Sequence, residues 1–296
     1  MAEAGRLNLP AAPKAGTMIG AEPVTVVRAA IIVFILLFWE AIAQSGLLYR
    51  DVVPSLLAIG TAIVKVLTGP VIKCSAEFGI GPFFGFGPYE FKWEIIEPEL
   101  YCHLGRTAFE VGIGLLVGGL SGLLIGLVLG GNRVLSKSFE PYLYYLGPTP
   151  KIIFFPVMIM WFGVGPGSKI AMGAISCFFP IALSTAAGMR QIDKVLIRVG
   201  HSFRANAWQM ATKIYLPAMR HPTINGVRLG LGVAIIGTLL AETKLSNRGV
   251  GFLIIQAYSL FDMPRMYAML IVLFVVAIGA NALVGRLGGL SAIRQR

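Results

Sequence analysis

Of the chain's 296 residues, 56% are apolar and only 13% charged, about half the charged share of a soluble globular domain. The apolar residues fall in long runs, which excludes an ordinary soluble core and points to one all-α, polytopic membrane bundle. The net charge of +11 does not call for nucleic acid, because the basic residues sit in short loops between apolar runs, where the positive-inside rule accounts for them.

Residues 1–28 are rich in Ala, Gly and Pro without sustained periodicity, and read as a flexible cytoplasmic tail. The first apolar run, about Ala29 to Leu48, starts late for a signal peptide and carries Trp39 and Glu40 inside it. It reads as an uncleaved first span. Residues 49–106 form a long, mixed periplasmic loop, broken in its middle by Gly79, Gly81, Gly85 and Gly87 with Pro82 and Pro88. Within it, Pro54 to Leu67 has helical apolar spacing and is expected to lie along the membrane surface.

The second span is expected over Thr107 to Gly130. Its glycines at 114, 118, 122, 126 and 130 recur every four residues, a smooth stripe that lets another helix backbone approach. The third, Pro141 to Gly163, is interrupted by Pro148, Pro150 and Pro156 with Lys151 among them. A kinked helix facing the bundle interior is expected, because the freed carbonyls need partners. The fourth covers Lys169 to Met189, the fifth Val227 to Leu245 and the sixth Met266 to Leu287. The transmembrane domain thus occupies 29–290, with a short cytoplasmic tail at 291–296. Between the fourth and fifth spans, 189–222 is too polar for the membrane.

Loop charge orients the chain. The pieces 1–28, 132–140, 189–222 and 286–296 carry 14 Lys/Arg against 9 in 48–106, 164–169 and 244–265. That places both termini in the cytoplasm and demands an even number of spans, in agreement with six. Cys177 lies within a span as a small packing residue. Cys74 and Cys102 share the outer loop, an oxidising place, and are expected to form a disulfide.

No enzyme constellation is present. His103, His201 and His221 lack zinc-ligand spacing with one another or with the cysteines, so no metal or cofactor is expected on this chain. Gly163 to Lys169 lacks the spacing of a phosphate loop and reads as a tight turn. If ATP drives the protein, another subunit binds it. The segment 189–222 holds Val195, Val199, Ser202, Phe203, Ala207, Met210 and Ile214 at helical spacing among Lys194, Arg198, Arg204 and Lys213, and Pro217 and Pro222 end it. Composition alone leaves open a partner's groove or an anionic lipid surface.

Here the chain resembles a known family. Ile214-Tyr-Leu-Pro217 matches the end of the loop motif of ATP-binding-cassette importer permeases, which runs Glu-Ala-Ala, three residues, Gly, nine residues, Ile-x-Leu-Pro. The likeness continues through Gly226-Val-Arg228, Ala241-Glu242 and Gly249-Val-Gly251. Pro150 to Pro156, Trp161 to Gly165, Trp39-Glu40 and Pro54-Ser55 are similar to the nitrate/sulfonate/taurine branch. The resemblance covers about residues 29–290. Two departures stand out: Arg198-Val199-Gly200 replaces Glu-Ala-Ala, and Arg204 replaces the central Gly. Arg takes positive φ with difficulty, so the turn is expected to be reshaped or shifted toward Ala205-Asn206. The stretch at 70–98 looks like an insertion relative to the family, placed to touch an extracytoplasmic partner.

The resemblance implies a transmembrane permease subunit without its own ATPase site, working by alternating access. A second permease copy completes the pathway, ABC ATPase subunits carry ATP and Mg, and a periplasmic substrate-binding protein docks outside, in a bacterial inner membrane. It implies an ATPase-coupling segment at Gly200, Phe203, Arg204, Ala205, Asn206 and Trp208, with Leu216 and Pro217 closing the motif. Lys151, Pro156, Trp161 and Glu242 are the candidate pathway residues. Lys151 could attract an anion or mark a helix start. Glu242 could serve function or pair with Lys244 or Arg248, and Arg228 could snorkel. An ATP-independent secondary transporter or channel, or a membrane scaffold, are the competing readings. No internal repeat supports the former, and the proline-broken spans do not suit the latter.

Overall fold

A computed structural model describes residues 21–46, 52–75, 94–244 and 246–293. The chain divides into two units, residues 1–56 and 57–296. The first holds α1 (Ala21–Ser45), whose Val24–Ser45 stretch is apolar and long enough to cross a membrane. In its last two turns, Trp39 Nε1 donates to the Pro54 carbonyl at 3.1 Å, and Glu40 Oε2 accepts from the Leu56 amide at 2.9 Å. The two dipeptides noted in the sequence, Trp39-Glu40 and Pro54-Ser55, are thus joined. Glu40 satisfies an orphan amide where a helix begins.

The second unit opens within α2 (Leu56–Leu67), followed by an antiparallel hairpin of β1 (Val71–Ser75) and β2 (Glu94–Pro98), with Val71 opposite Pro98 and Ser75 opposite Glu94. The hairpin is the departure from an all-helical chain. It lies where the sequence shows only an inserted, turn-rich loop, and its tip lies outside the described residues. Helix α3 (Glu99–Gly131) follows directly, beginning eight residues before the expected span. The reason is packing: Leu100 and His103 are buried, and Glu99 Oε2 accepts from Arg265 Nη2 at 3.0 Å.

The third span is not one kinked helix. Helix α4 (Arg133–Leu146) and a 3₁₀ turn (Lys151–Phe154) leading into α5 (Phe155–Phe162) are bent by 92° across the break. Pro148 and Pro150 occupy that break. Pro156 sits in the first turn of α5, where its missing N–H costs no intrahelical bond. Among the described residues, five helices are long and apolar enough to cross a membrane, six if the bent pair counts as one. After α6 (Pro166–Arg190) come the short helices α7 (Lys194–Ser202), α8 (Ala207–Met210), a π turn (Ala211–Tyr215) and α9 (Leu216–Ala218). Then follow α10 (Arg220–Lys244), α11 (Val250–Ser259) and α12 (Met263–Ile293).

Helices α3, α6 and α10 form the core. The glycine stripe of α3 sets their spacing: a Cβ on Gly118 would stand 2.2 Å from the Ala174 carbonyl, and one on Gly122 2.8 Å from that of Phe178. Gly126 and Gly130 meet Thr185 and Met189 equally closely. On the other side of α6, Gly226, Gly230 and Gly237 of α10 press on Ser184, Ile181 and Ser176. Small residues thus replace the hydrophobic drive that lipid cannot supply. Cys177 is a free, fully buried thiol packed in this core with Val111, Ile181, Leu231 and Ala234. Cys102 is disulfide-bonded. Cys74 lies on β1, and its side chain lies outside the described residues.

Candidate functional site

Two places concentrate polar chemistry. The first is the connection between α6 and α10. Asp193 caps α7 by accepting from the Val195 amide at 2.8 Å. At its other end the Arg204 amide donates to the His201 carbonyl at 2.9 Å and the Ala205 amide to that of Gly200 at 3.1 Å. This is the paired 5→2 and 6→1 closure of a Schellman motif, which requires a left-handed residue between cap and exit. Arg204 supplies it, at φ +50°. The expected shift of the turn toward Ala205-Asn206 does not occur: the hydrogen bonds hold Arg204 where glycine would ordinarily stand. Asn206 then caps α8, accepting from the Gln209 amide at 2.8 Å while Gln209 Oε1 accepts from the Asn206 amide at 3.0 Å.

The segment folds against itself through Gly200. A Cβ there would stand 2.4 Å from Ile214 Cδ1 and from Met210 Sδ. Leu216 packs beside buried Met189, Ile192 and Met219, and Pro217 lies in the first turn of α9. Outward, Phe203 is 82% and Trp208 75% exposed, with Arg204 beside them. Large apolar side chains presented on a capped, rigid turn form a surface suited to a partner.

The second place is a buried polar cluster joining α3, α6, α10 and α11. Glu242, fully buried, accepts from Thr107 Oγ1 at 2.7 Å and from the Gly251 amide at 2.7 Å. Thr107 Oγ1 accepts in turn from the Val250 amide at 2.9 Å, and His103 Nδ1 from the Gly249 amide at 2.9 Å. One turn further along α3, the buried Glu110 Oε1 accepts from Arg106 Nε at 2.9 Å. The buried Lys169 acts electrostatically on both carboxyls. Lys169 Nζ also reaches the Val164 and Gly165 carbonyls at 3.3 and 3.4 Å, closing the turn between α5 and α6. Backbone amides of the α11 entry are thus satisfied by side chains rather than left orphaned.

The four candidate pathway residues take separate roles. Glu242 anchors α11 through Thr107 and Gly251. Lys151 Nζ donates to the Gly147 carbonyl across the helix break and lies 5.5 Å from the Phe179 ring centroid. Pro156 starts α5, and Trp161 is half exposed near its end. The sequence reading missed His103, Arg106, Thr107 and Glu110 as one group. Their spacing of three and four marks one helix face, a signal hidden by assigning His103 and Arg106 to the loop.

Residues 122–292 match the family described as the binding-protein-dependent transport system inner membrane component. The chain belongs to that family. It is 33% identical over 186 residues to SsuC of Bacillus subtilis, a permease protein named for transport of aliphatic sulfonates, over 63% of this chain and 67% of SsuC. It is 28% identical over 196 residues to the taurine transport system permease protein TauC of Escherichia coli, over 65% of this chain and 71% of TauC. Its fold is similar to a chain of the inward-facing MetNI methionine ABC transporter, with a TM-score of 0.52 and 18% identity, over 61% of this chain and 92% of that one. The protein is therefore an ABC importer permease, a multi-pass subunit of the inner membrane. An ATP-independent transporter or channel is not favoured by these relatives. The family match runs from the middle of α3 to α12 and takes in the whole α7–α9 connection.

Proposed function

We propose that the permease carries a small anionic solute of the sulfonate, taurine or nitrate kind, as one of two copies that form the pathway. ATP and Mg sit on separate ATPase subunits, a periplasmic binding protein delivers the solute, and both termini face the cytoplasm. The α7–α8 connection is the coupling element. The observation that carries this reading is the exposed pair Phe203 and Trp208, held on a doubly capped turn between two spans of the core. Apolar anchors on a rigid body transmit the closure of an ATPase dimer to α6 and α10 without bending. Relatives named for sulfonates and taurine support the cargo class. Arg204 lies at the rim, in the place of the motif's central Gly, and Arg198 stands where the motif has its acid.

Co-purification with the ATPase subunits tests the reading. Trp208→Ala should weaken ATPase retention at least tenfold, as truncation of an interfacial aromatic anchor costs about 2 kcal/mol or more. Charge reversal, Arg204→Glu, should reduce retention less. Normal ATPase binding and normal solute uptake in both variants would remove this segment from the coupling role.

A further inference from the structure

Helix α10 has one face that is largely exposed and bordered by α12. Asn225, Arg228, Leu229, Gly232 and Ile236 lie along it at intervals of three and four, all exposed. With Val233 of α10 and Asn281 of α12 they line an open groove of about 510 Å³. Arg228 Nε donates to Asn281 Oδ1 at 3.2 Å, which pins the guanidinium to the wall. A Cβ on Gly285 would stand 3.3 Å from Arg228 Cζ, so the guanidinium lies flat against the α12 backbone. At Gly232 a Cβ would meet nothing within 4 Å, leaving the groove open above it.

Arg228 lies eight residues along α10 from Arg220, about 12 Å at the helical rise. Placed against hydrocarbon, an arginine costs up to roughly 2.5–3.5 kcal/mol, the figure for the centre of a span, and unsatisfied amides add to that. Two asparagines on the same groove make a lipid-facing role for this face expensive three times over. Water is the medium that suits all three. No carboxylate is among the described residues lining the groove. The guanidinium therefore keeps a positive field there, with Nη1 and Nη2 arranged as a fork that matches two oxygens of an oxyanion.

We propose that Arg228, flanked by Asn225 and Asn281, forms an anion-holding subsite on an aqueous pathway along α10. A small oxyanion such as a sulfonate is taken by the outer guanidinium nitrogens, while Asn281 fixes the orientation of the fork. This rests on the reading of the permease as an anion carrier and gives that cargo a place on the chain.

The test uses the assembled transporter in liposomes. Leu229→Cys is labelled with a sulfonate-bearing and a trimethylammonium-bearing methanethiosulfonate reagent, each normalised to its rate with a free thiol and corrected for the unsubstituted protein. The anionic reagent should react about tenfold faster, as expected for focusing by one unscreened charge. The preference should vanish on adding Arg228→Gln and persist in part with Arg228→Lys. Absence of labelling by either reagent, or a preference indifferent to Arg228→Gln, would overturn the subsite. Uptake of taurine, ethanesulfonate and nitrate is measured beside it. If the wild-type complex imports none of them while the labelling preference behaves as expected, the cargo reading falls and the subsite stands. If it imports one and the preference is flat, the cargo reading stands and the subsite falls.

Discussion

A Cβ on Gly249 would come within 2.3 Å of the Glu242 carboxyl carbon, and Gly249 itself sits at φ +103°. Both facts have one origin. The Glu242 carboxylate is wedged under the start of α11, receiving the Gly251 amide and Thr107 Oγ1, and the chain must turn over it with no side chain in the way. Gly249→Ala combines a strained backbone with an overpacked buried site, each costing about 1–3 kcal/mol. A large drop in thermal stability in detergent is expected. Gly279→Ala, where a Cβ meets nothing within 4 Å, should be neutral or slightly stabilising. Equal behaviour of the two would show that Glu242 does not occupy that position.

Glu242→Gln keeps the shape and tests the polar part alone. One oxygen of the pair becomes a donor and cannot accept from both Thr107 and Gly251. The loss of one buried hydrogen bond, with a donor left unpaired, is expected to cost about 1–3 kcal/mol. Thermal denaturation with matched protein abundance reads it, and stability equal to the wild type would contradict the assigned partners.

The glycine stripe gives a positional contrast on one helix. Gly118 meets the Ala174 carbonyl, and Gly112 meets nothing within 4 Å. Gly118→Ala must push α3 from α6, an overpacking cost of about 1–3 kcal/mol. Gly112→Ala should gain up to about 1 kcal/mol of helix propensity. A melting series on both variants should separate them in opposite directions.

The period of four from Gly114 to Gly130 was legible because it reports a single geometric demand, the approach of two backbones. The positions of α3, α6, α10 and α12 were legible for the same kind of reason: long apolar runs leave one solution in a bilayer. The 92° break between α4 and α5 was only half legible. Pro148 and Pro150 announce an interruption, but whether it bends or severs the helix depends on what satisfies the freed carbonyls, here Lys151 on Gly147. The cluster around Glu242 was hidden because Thr107, Gly251 and Glu242 come together from three helices, and pairing across such distances leaves no local pattern. Arg228 was read as a snorkelling residue, since the groove beside it exists only once α12 is placed.

Arg204 adopts φ +50° inside two closing hydrogen bonds of α7. An L-residue there costs roughly 1–2 kcal/mol against glycine. Arg204→Gly should therefore raise or maintain thermal stability while removing a charge from the coupling surface. A clear loss of stability would mean that the guanidinium holds the turn through contacts of its own.

The hairpin and α3 meet at Pro98–Glu99, which carries β1 back alongside the start of α3. Cys102 lies one turn into that helix and is disulfide-bonded. Cys177 is free and buried in the core, and the chain has three cysteines. We expect Cys74 on β1 to be the partner, tying the inserted hairpin to the outer end of α3. Closing a loop of this length restricts the unfolded chain by about 3.5 kcal/mol. Alkylation of the native protein without reductant, followed by mass spectrometry, should leave both positions unmodified. Cys74→Ser should free Cys102 for alkylation and lower the melting temperature. Two alkylated thiols at 74 and 102 in the unreduced wild type would rule the bridge out.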